Sequence, residues 1–207
     1  MLTADGTAAS APLKGSDARD RERGAVRDEY GVTDAHLVQW AQDGYDEAFE
    51  LLVRRHRLRA YRVALRLTGS PADAEDVAQD AFVQAWRSLH RFRRDAAFTT
   101  WLYRIVTNVA LNRVQRQRET PHDVTVLEQR PTLETPEQVS EANEALERLQ
   151  SALTALPFDQ RAPLVLHALE GCSYVEVAEI MRITVPAVKG RLHRARRDLA
   201  RALQDLS

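Results

Sequence analysis

One cysteine, Cys172, stands among 207 residues. A single thiol can close no internal disulfide and can build no cysteine-type zinc site, so neither device holds this fold together. Cys172 reads as a small buried residue, with a redox-sensing thiol as the other reading. Apolar runs are short as well. None approaches the 18 residues of a membrane span, and Met1–Ser16 has neither the basic start nor the apolar core of a secretory signal. The chain is therefore expected in the cytoplasm, without membrane insertion. Catalytic signatures are missing too. The six His stand scattered at 36, 56, 90, 122, 167 and 193. There is no nucleophile elbow, metal-ligand spacing or glycine-rich phosphate loop. No enzyme, metal or cofactor is expected. Period-2 alternation is absent, which argues against a sheet and for an all-α fold. Lysine is almost absent, with only Lys14 and Lys189 among 29 basic residues. The codon bias of a GC-rich genome accounts for that as well as function does.

The net charge of −1 conceals a strong pattern. From Arg54 to Arg118 stand 14 Arg against 5 acids; from Glu119 to Glu147, 8 acids against one Arg; from Arg182 to Arg201, 7 basic residues against Asp198. Two basic blocks separated by an acidic segment point to two nucleic-acid contact surfaces. Solvated helix faces would not segregate sign this way.

The same boundaries follow from apolar periodicity. Residues 1–33 are rich in Ala, Gly, Ser, Asp and Arg without a helical period, and read as a mobile tail. Residues 34–118 form a first helical domain. Residues 119–140, with Pro121, Pro131 and Pro136, read as an acidic linker. Residues 141–207 form a second helical domain.

In the first domain, Ala35–Trp40 and Tyr45–Thr68 read as helices split by Asp43-Gly44. Ser70-Pro71-Ala72-Asp73 then supplies a cap, a first-position proline and an acid beside the positive end of the helix dipole. Ala74, Val77, Ala78, Ala81, Phe82, Ala85, Trp86 and Leu89 follow at helical spacing, a stripe expected to be buried. After a loop from His90 to Ala97, Phe98, Trp101, Leu102, Ile105, Val106 and Val109 repeat that spacing. The second domain reads as four helices. The first stops at Pro157, and the second has Asp159 as its expected cap and ends at Gly171. Ser173-Tyr174-Val175-Glu176 is a capping box, and Thr184 caps the last helix. The final two form a helix-turn-helix whose second helix would enter a major groove. It presents Lys189, Arg191, His193, Arg194, Arg196 and Arg197. On this reading alone the chain could still be an autonomous helix-turn-helix regulator.

SPADAEDVAQDAFVQAWRSL (70–89) with FTTWLYRIVTN (98–108) resembles region 2 of the sigma-70 family. LEGCSYVEVAEIMRITVPAVKGRLHRARRDL (169–199) resembles region 4. With no room for region 3 and no long acidic region 1, the chain is identified as similar to the extracytoplasmic-function branch. The resemblance implies a factor that binds core RNA polymerase and directs initiation at promoters with −35 and −10 elements. It places Asp76, Gln79, Asp80 and Val83 on the surface that docks on the beta-prime coiled coil, a face that the residues alone would leave as solvated acid. It places −10 capture and melting on Phe92, Arg93, Phe98, Trp101, Arg104, Asn108, Asn112 and Arg113. Base extrusion costs a few kcal/mol, which stacking and edge hydrogen bonds offset. Arg94 joins that loop, and Arg116 joins Arg104 and Arg113 in neutralising phosphates. Trp101 has two readings, core residue or wedge at the melted edge, and Phe98 is similar. Reading of the −35 element falls to Pro186, Lys189, Gly190, Arg191, His193, Arg194 and Arg197.

Three positions depart from the family's habit: Gly190 replaces a usual Ser, His193 a large or aromatic side chain, and Arg182 the common turn Gly. The resemblance further implies contact with the polymerase beta flap, and an anti-sigma factor that covers both DNA-binding domains. It also gives the linker a purpose. The two promoter elements lie on the order of 70 Å apart, about two helical turns. A linker of about 22 residues averages ~25 Å end to end and reaches ~75 Å when extended. It must stretch when both domains engage, and its acids suit a basic nucleic-acid channel of the polymerase.

Overall fold

The computed structural model describes residues 31–119 and 136–205, with side chains omitted at 118–119, 136–143 and 205. The expected tail (residues 1–30 of it) and residues 120–135 of the expected linker lie outside the described residues. What is described is helical, without a strand. No described helix is long and apolar enough to cross a membrane.

The N-terminal module holds α1 (Asp34–Gln42), α2 (Asp46–Thr68), α3 (Pro71–Ser88), a 3-10 turn (Leu89–Arg91) and α4 (Phe98–Glu119). Each start has a chemical cause. Thr33 caps α1 by accepting from the His36 amide, and Ser70 caps α3 by accepting from the Asp73 amide at 3.3 Å, with Pro71 at the first position. Helix α2 ends at Gly69, in the left-handed region at φ 84°. Leu52, Val63 and Leu67 of α2, Val77 and Ala81 of α3 and Leu102 and Val106 of α4 bury the shared core. Asp34 receives His56 Nε2 at 2.7 Å and Arg55 at 3.2 Å, which ties α1 to α2. The His56 hydrogen bond holds the Asp34 carboxyl below its ordinary range.

The C-terminal module holds α5 (Pro136–Ala155), α6 (Phe158–Leu164) running into a π-helical turn (Val165–Leu169), α7 (Tyr174–Met181) and α8 (Val185–Asp205). Helix α5 starts five residues earlier than the expected domain boundary, with Pro136 as its first residue. The cap of α6 is Pro157; Asp159 sits in the first turn instead and pairs with Arg191 at 3.8 Å. Pro163 lies inside α6 and donates no amide hydrogen bond, and the helix widens to π just beyond it. Gly171 follows at φ 74°. The Ser173–Glu176 capping box forms in both directions, and Thr184 accepts from the Ala187 amide at 3.3 Å at the start of α8.

Arg182 stands between α7 and α8 at φ 54°, ψ 45°, a left-handed conformation that costs a side-chain-bearing residue about 1 kcal/mol. Arg182→Gly should therefore raise stability, by up to ~1 kcal/mol in urea unfolding once glycine's greater chain entropy is subtracted. A loss of stability would show that the arginine side chain itself holds the turn.

The two modules touch. Glu170 receives Arg66 at 2.5 Å and the Tyr103 hydroxyl at 2.8 Å. Gln150 donates to the Leu65 carbonyl at 2.8 Å, and the buried Arg161 donates to the Leu67 carbonyl at 2.5 Å. The C-terminal module thus supplies a donor to the Leu67 carbonyl at the end of α2 and a second donor to the Leu65 carbonyl, which also accepts from the Gly69 amide. A Cβ on Gly69 would collide with the Thr154 methyl, and φ 84° is itself strained for any other residue, so glycine suits this close approach.

Candidate nucleic-acid interface

Three surfaces emerge from the helices. On α3, Asp76, Gln79, Asp80 and Val83 are all exposed, and their spacing puts them on one face opposite the buried Ala74, Val77, Ala81 and Ala85. Trp86 corrects the expectation of a wholly buried stripe: it is 43% exposed, its ring 4.9 Å from Phe49. Being at i+3 from the exposed Val83, it adds apolar surface to the acidic face, and periodicity alone did not separate it from the core. Asp76 also pairs with Arg113 at 3.1 Å.

The second surface begins at the loop before α4. Gln42 of α1 donates to the carbonyls of Leu89 and Phe92, both at 2.9 Å, and so folds this loop inward. Arg94, at φ 60°, hydrogen-bonds Gln39. Phe92 and Phe98 are consequently buried, at 8% and 4% exposure. Phe92 stacks on Trp101 with centroids 4.8 Å apart, and Phe98 lies 5.7 Å from Trp101. Trp101 is half-buried, leaving part of its ring at the surface. A pocket opens here between Arg91, Arg93, Asp95, Trp101 and Arg104, with Phe92 below and Glu179 of α7 at its edge. Aromatic rings and guanidinium groups lining one pocket suit a stacked base beside a phosphate.

Farther along α4, Asn108 and Asn112 are exposed and continue the row begun by Arg104 at four-residue spacing. Arg113 leaves that row. It donates to Asp73 through Nε at 2.7 Å, and Gln117 donates to the other Asp73 oxygen at 2.6 Å. The Asp73 hydrogen bond raises the Arg113 pKa further and keeps the guanidinium charged. The structure thus joins Asp76, expected on one surface, and Arg113, expected on another, in one ion-pair cluster.

The third surface is α8. Val188, Leu192 and Ala195 are buried beneath it, while Pro186, Lys189, His193, Arg194 and Arg197 are exposed above. Gly190 and Arg191 are half-buried, with Arg191 turned toward Asp159. Lys189 Nζ lies 5.6 Å from the centroid of the Tyr174 ring, itself 4.5 Å from the His167 ring. Asp198 pairs with Arg197 at 3.0 Å, which lowers its pKa. Cys172 is buried, and that burial pushes its thiol up to about 11, too high for a reactive thiolate at neutral pH. No cluster of metal-ligating side chains is found among the described residues.

Residues 52–120 match the family Sigma-70 region 2, and residues 146–199 match Sigma-70, region 4. The RNA polymerase sigma-H factor of Pseudomonas aeruginosa is 37% identical over 183 residues, covering 84% of this chain and 95% of that protein. The ECF RNA polymerase sigma-E factor of Escherichia coli K12 is 36% identical over 185 residues, covering 84% and 96%. The chain is a sigma-70 family factor of the extracytoplasmic-function branch. Among solved structures, CnrH in complex with the cytosolic domain of CnrY matches this sigma factor with a TM-score of 0.65 and 31% identity, covering 84% of this chain and 99% of that one. The sigma factor accordingly directs promoter-specific transcription initiation by RNA polymerase, as a regulator of transcription.

Proposed function

We propose that the three surfaces divide this work, and that the protein does it in the cytoplasm without catalysing a reaction of its own. The exposed face of α3, with Asp76, Gln79, Asp80, Val83 and the added Trp86, docks on the beta-prime coiled coil. The arginine-lined aromatic pocket and the α4 row take up the unstacked −10 strand: Trp101 offers a ring face, Arg93 and Arg104 meet phosphates, and Asn108 and Asn112 reach base edges. Buried Phe92 and Phe98 form the floor that sets the angle of Trp101. Helix α8 reads the −35 duplex through Lys189, His193 and Arg194, with Pro186, Gly190 and Arg197 along the backbone path. The beta flap carries the C-terminal module, and an anti-sigma factor covers both modules when initiation is held off. Domain limits of 34–118 and 141–207 around an acidic linker accompany this reading.

The observation that carries it is the juxtaposition on one small module of an acidic, partly apolar face (α3) and a cationic, aromatic pocket (α4). A protein that only bound DNA would gain nothing from the acidic face. Asp80→Lys should weaken binding to core polymerase about tenfold, in the range of an interfacial charge reversal. Duplex binding by the free protein should stay unchanged. Fluorescence anisotropy with labelled factor and core enzyme measures the first, and filter binding the second. Unaltered affinity for core polymerase would remove α3 as the docking face.

A further inference from the structure

Arg113 stands among the −10 contacts that the family resemblance implies, yet its guanidinium is already taken. Its Nε donates to Asp73 Oδ1 at 2.7 Å, and Nη2 lies 2.6 Å from the same oxygen and 3.1 Å from Asp76 Oδ2. Gln117, one turn farther along α4, donates to Asp73 Oδ2 at 2.6 Å. Both carboxylate oxygens of Asp73 are thus engaged from α4, and Asp73 is only 6% exposed. The Ser70 cap fixes it in turn, accepting from its amide at 3.3 Å. A buried carboxylate stripped of its donors is costly, so the cation is held where it stands. One guanidinium between two carboxylates also leaves the group net negative, which opposes the approach of a phosphate. Arg116, by contrast, is exposed.

We infer that Arg113 is a positioning residue and not a phosphate contact: with Gln117 it clamps the last turns of α4 to the buried Asp73 of α3, and the clamp sets the rotation at which Asn108 and Asn112 face the melted strand. The inference rests on the proposed role of that row. Arg113 and Gln117 lie four residues apart and form one stripe of α4. Each directly follows a residue of the exposed row, Asn112 or Arg116, and so lies about 100° around the helix from it. A rotation of α4 that carried Asn112 away from a base would pull Arg113 and Gln117 off Asp73 together. Asp76 extends the clamp to the docking face, where its side chain is 60% exposed. The anchor on polymerase and the row that reads the strand therefore keep one fixed geometry. Misplacing a hydrogen-bonding side chain at a base edge costs discrimination between bases, whereas losing a phosphate contact weakens all sequences alike and flattens the salt dependence.

The test uses the full-length factor in reconstituted holoenzyme. The probes are fluorescein-labelled non-template decamers from the −10 element of a promoter mapped by run-off transcription, together with their single-base variants. Arg113→Met should lower the preference for the native decamer about tenfold and leave the slope of log affinity against log salt unchanged. Asp73→Asn should do the same, and the double variant should lose less than the sum of the two. Gln117→Ala removes half of the clamp without stranding a charge, and should lose preference by a few-fold. Arg116→Gln should keep the preference and lower the slope by about 0.7. Circular dichroism melts confirm that each variant is folded. A slope that falls with Arg113→Met makes Arg113 a phosphate contact and overturns the proposal. Tighter binding by Asp73→Asn overturns it too, since Asp73 would then be masking a cation meant for DNA. Additive losses overturn the clamp. Asn112→Ala separates the two levels of the reading. If it loses preference while Arg113→Met and Asp73→Asn keep it, positioning alone fails; if it keeps preference, the row itself fails and the clamp with it.

Discussion

Phe98→Ala should cost the N-terminal module about 3–5 kcal/mol, as expected for an aromatic side chain removed from a packed core. Trp101→Ala should cost much less stability and far more initiation. The two residues lie three positions apart on α4, and their readings from sequence were alike. The structure separates them by burial. Phe98 is 4% exposed, at the first position of α4, with its ring 5.3 Å from His56 and 6.3 Å from Phe92. Its loss leaves a cavity where α2, the loop and α4 meet. Trp101 is half-buried and shares a stack with Phe92, so truncation removes one ring pair, worth about 0.5–1.5 kcal/mol, and some partly buried area. If its free face receives a base, the open complex loses a stacking contact of about 1–3 kcal/mol, a fall of roughly 5–150-fold in its formation. Urea unfolding measures the stability, and permanganate footprinting of melted thymines the open complex. Duplex binding through α8 should not change with Trp101→Ala. A fall in stability as large as that of Phe98→Ala, with melting by the surviving folded fraction intact, assigns Trp101 to the core alone.

The difference between these residues marks what could be read from the chain. Periodicity gives the angle at which a side chain leaves a helix, and caps give where the helix begins. Thus Ser70, Ser173 and Thr184 fixed three helix starts, and the exposed row of α8 follows from Val188, Leu192 and Ala195 alone. Periodicity does not give the width of the buried stripe, which depends on what packs against it. Trp86 lies at the stripe's edge and stays 43% exposed. Phe92 sits in a loop, where no period applies. It is buried because Gln42, 50 residues earlier, draws its carbonyl inward. The π turn after Pro163 is local in cause, but the widening shows only in the backbone. Partners of charged residues were the least legible. Asp73 fits its first-turn place beside the helix dipole, yet in the fold it also accepts from Arg113 and Gln117, about 40 residues away. Glu170 directly precedes Gly171, the expected end of its helix, while its partners Arg66 and Tyr103 stand 104 and 67 residues earlier. Such pairs are set by module docking, which no local pattern encodes.

Lys189→Ala should relax specificity at one base pair of the −35 element and cost about 1–3 kcal/mol, a roughly 5–150-fold loss at the preferred promoter. Lys189 is exposed on α8 at the flank of the stripe that buries Val188 and Leu192, and its ammonium lies 5.6 Å from the Tyr174 ring centroid. That cation–π contact limits the directions its flexible stem can take, which favours a defined base contact over diffuse attraction. Arg197, farther along the helix and partly neutralised by Asp198, should behave differently. Arg197→Ala should weaken all duplexes alike and lower the slope of log affinity against log salt by about one. Gly190→Ala supplies the contrast between packing and recognition. A Cβ there meets only Arg194 Nη1 at 3.8 Å, an ordinary contact, so the substitution should stabilise α8 by up to ~1 kcal/mol. If Gly190 faces the DNA backbone closely, promoter affinity falls although the protein becomes more stable. Run-off from genomic DNA with reconstituted polymerase identifies the promoters. Binding to each single-base variant of their −35 boxes then gives a discrimination profile for each mutant. A Lys189→Ala profile parallel to the wild type at every position would reduce Lys189 to a phosphate contact and move base reading to His193 and Arg194.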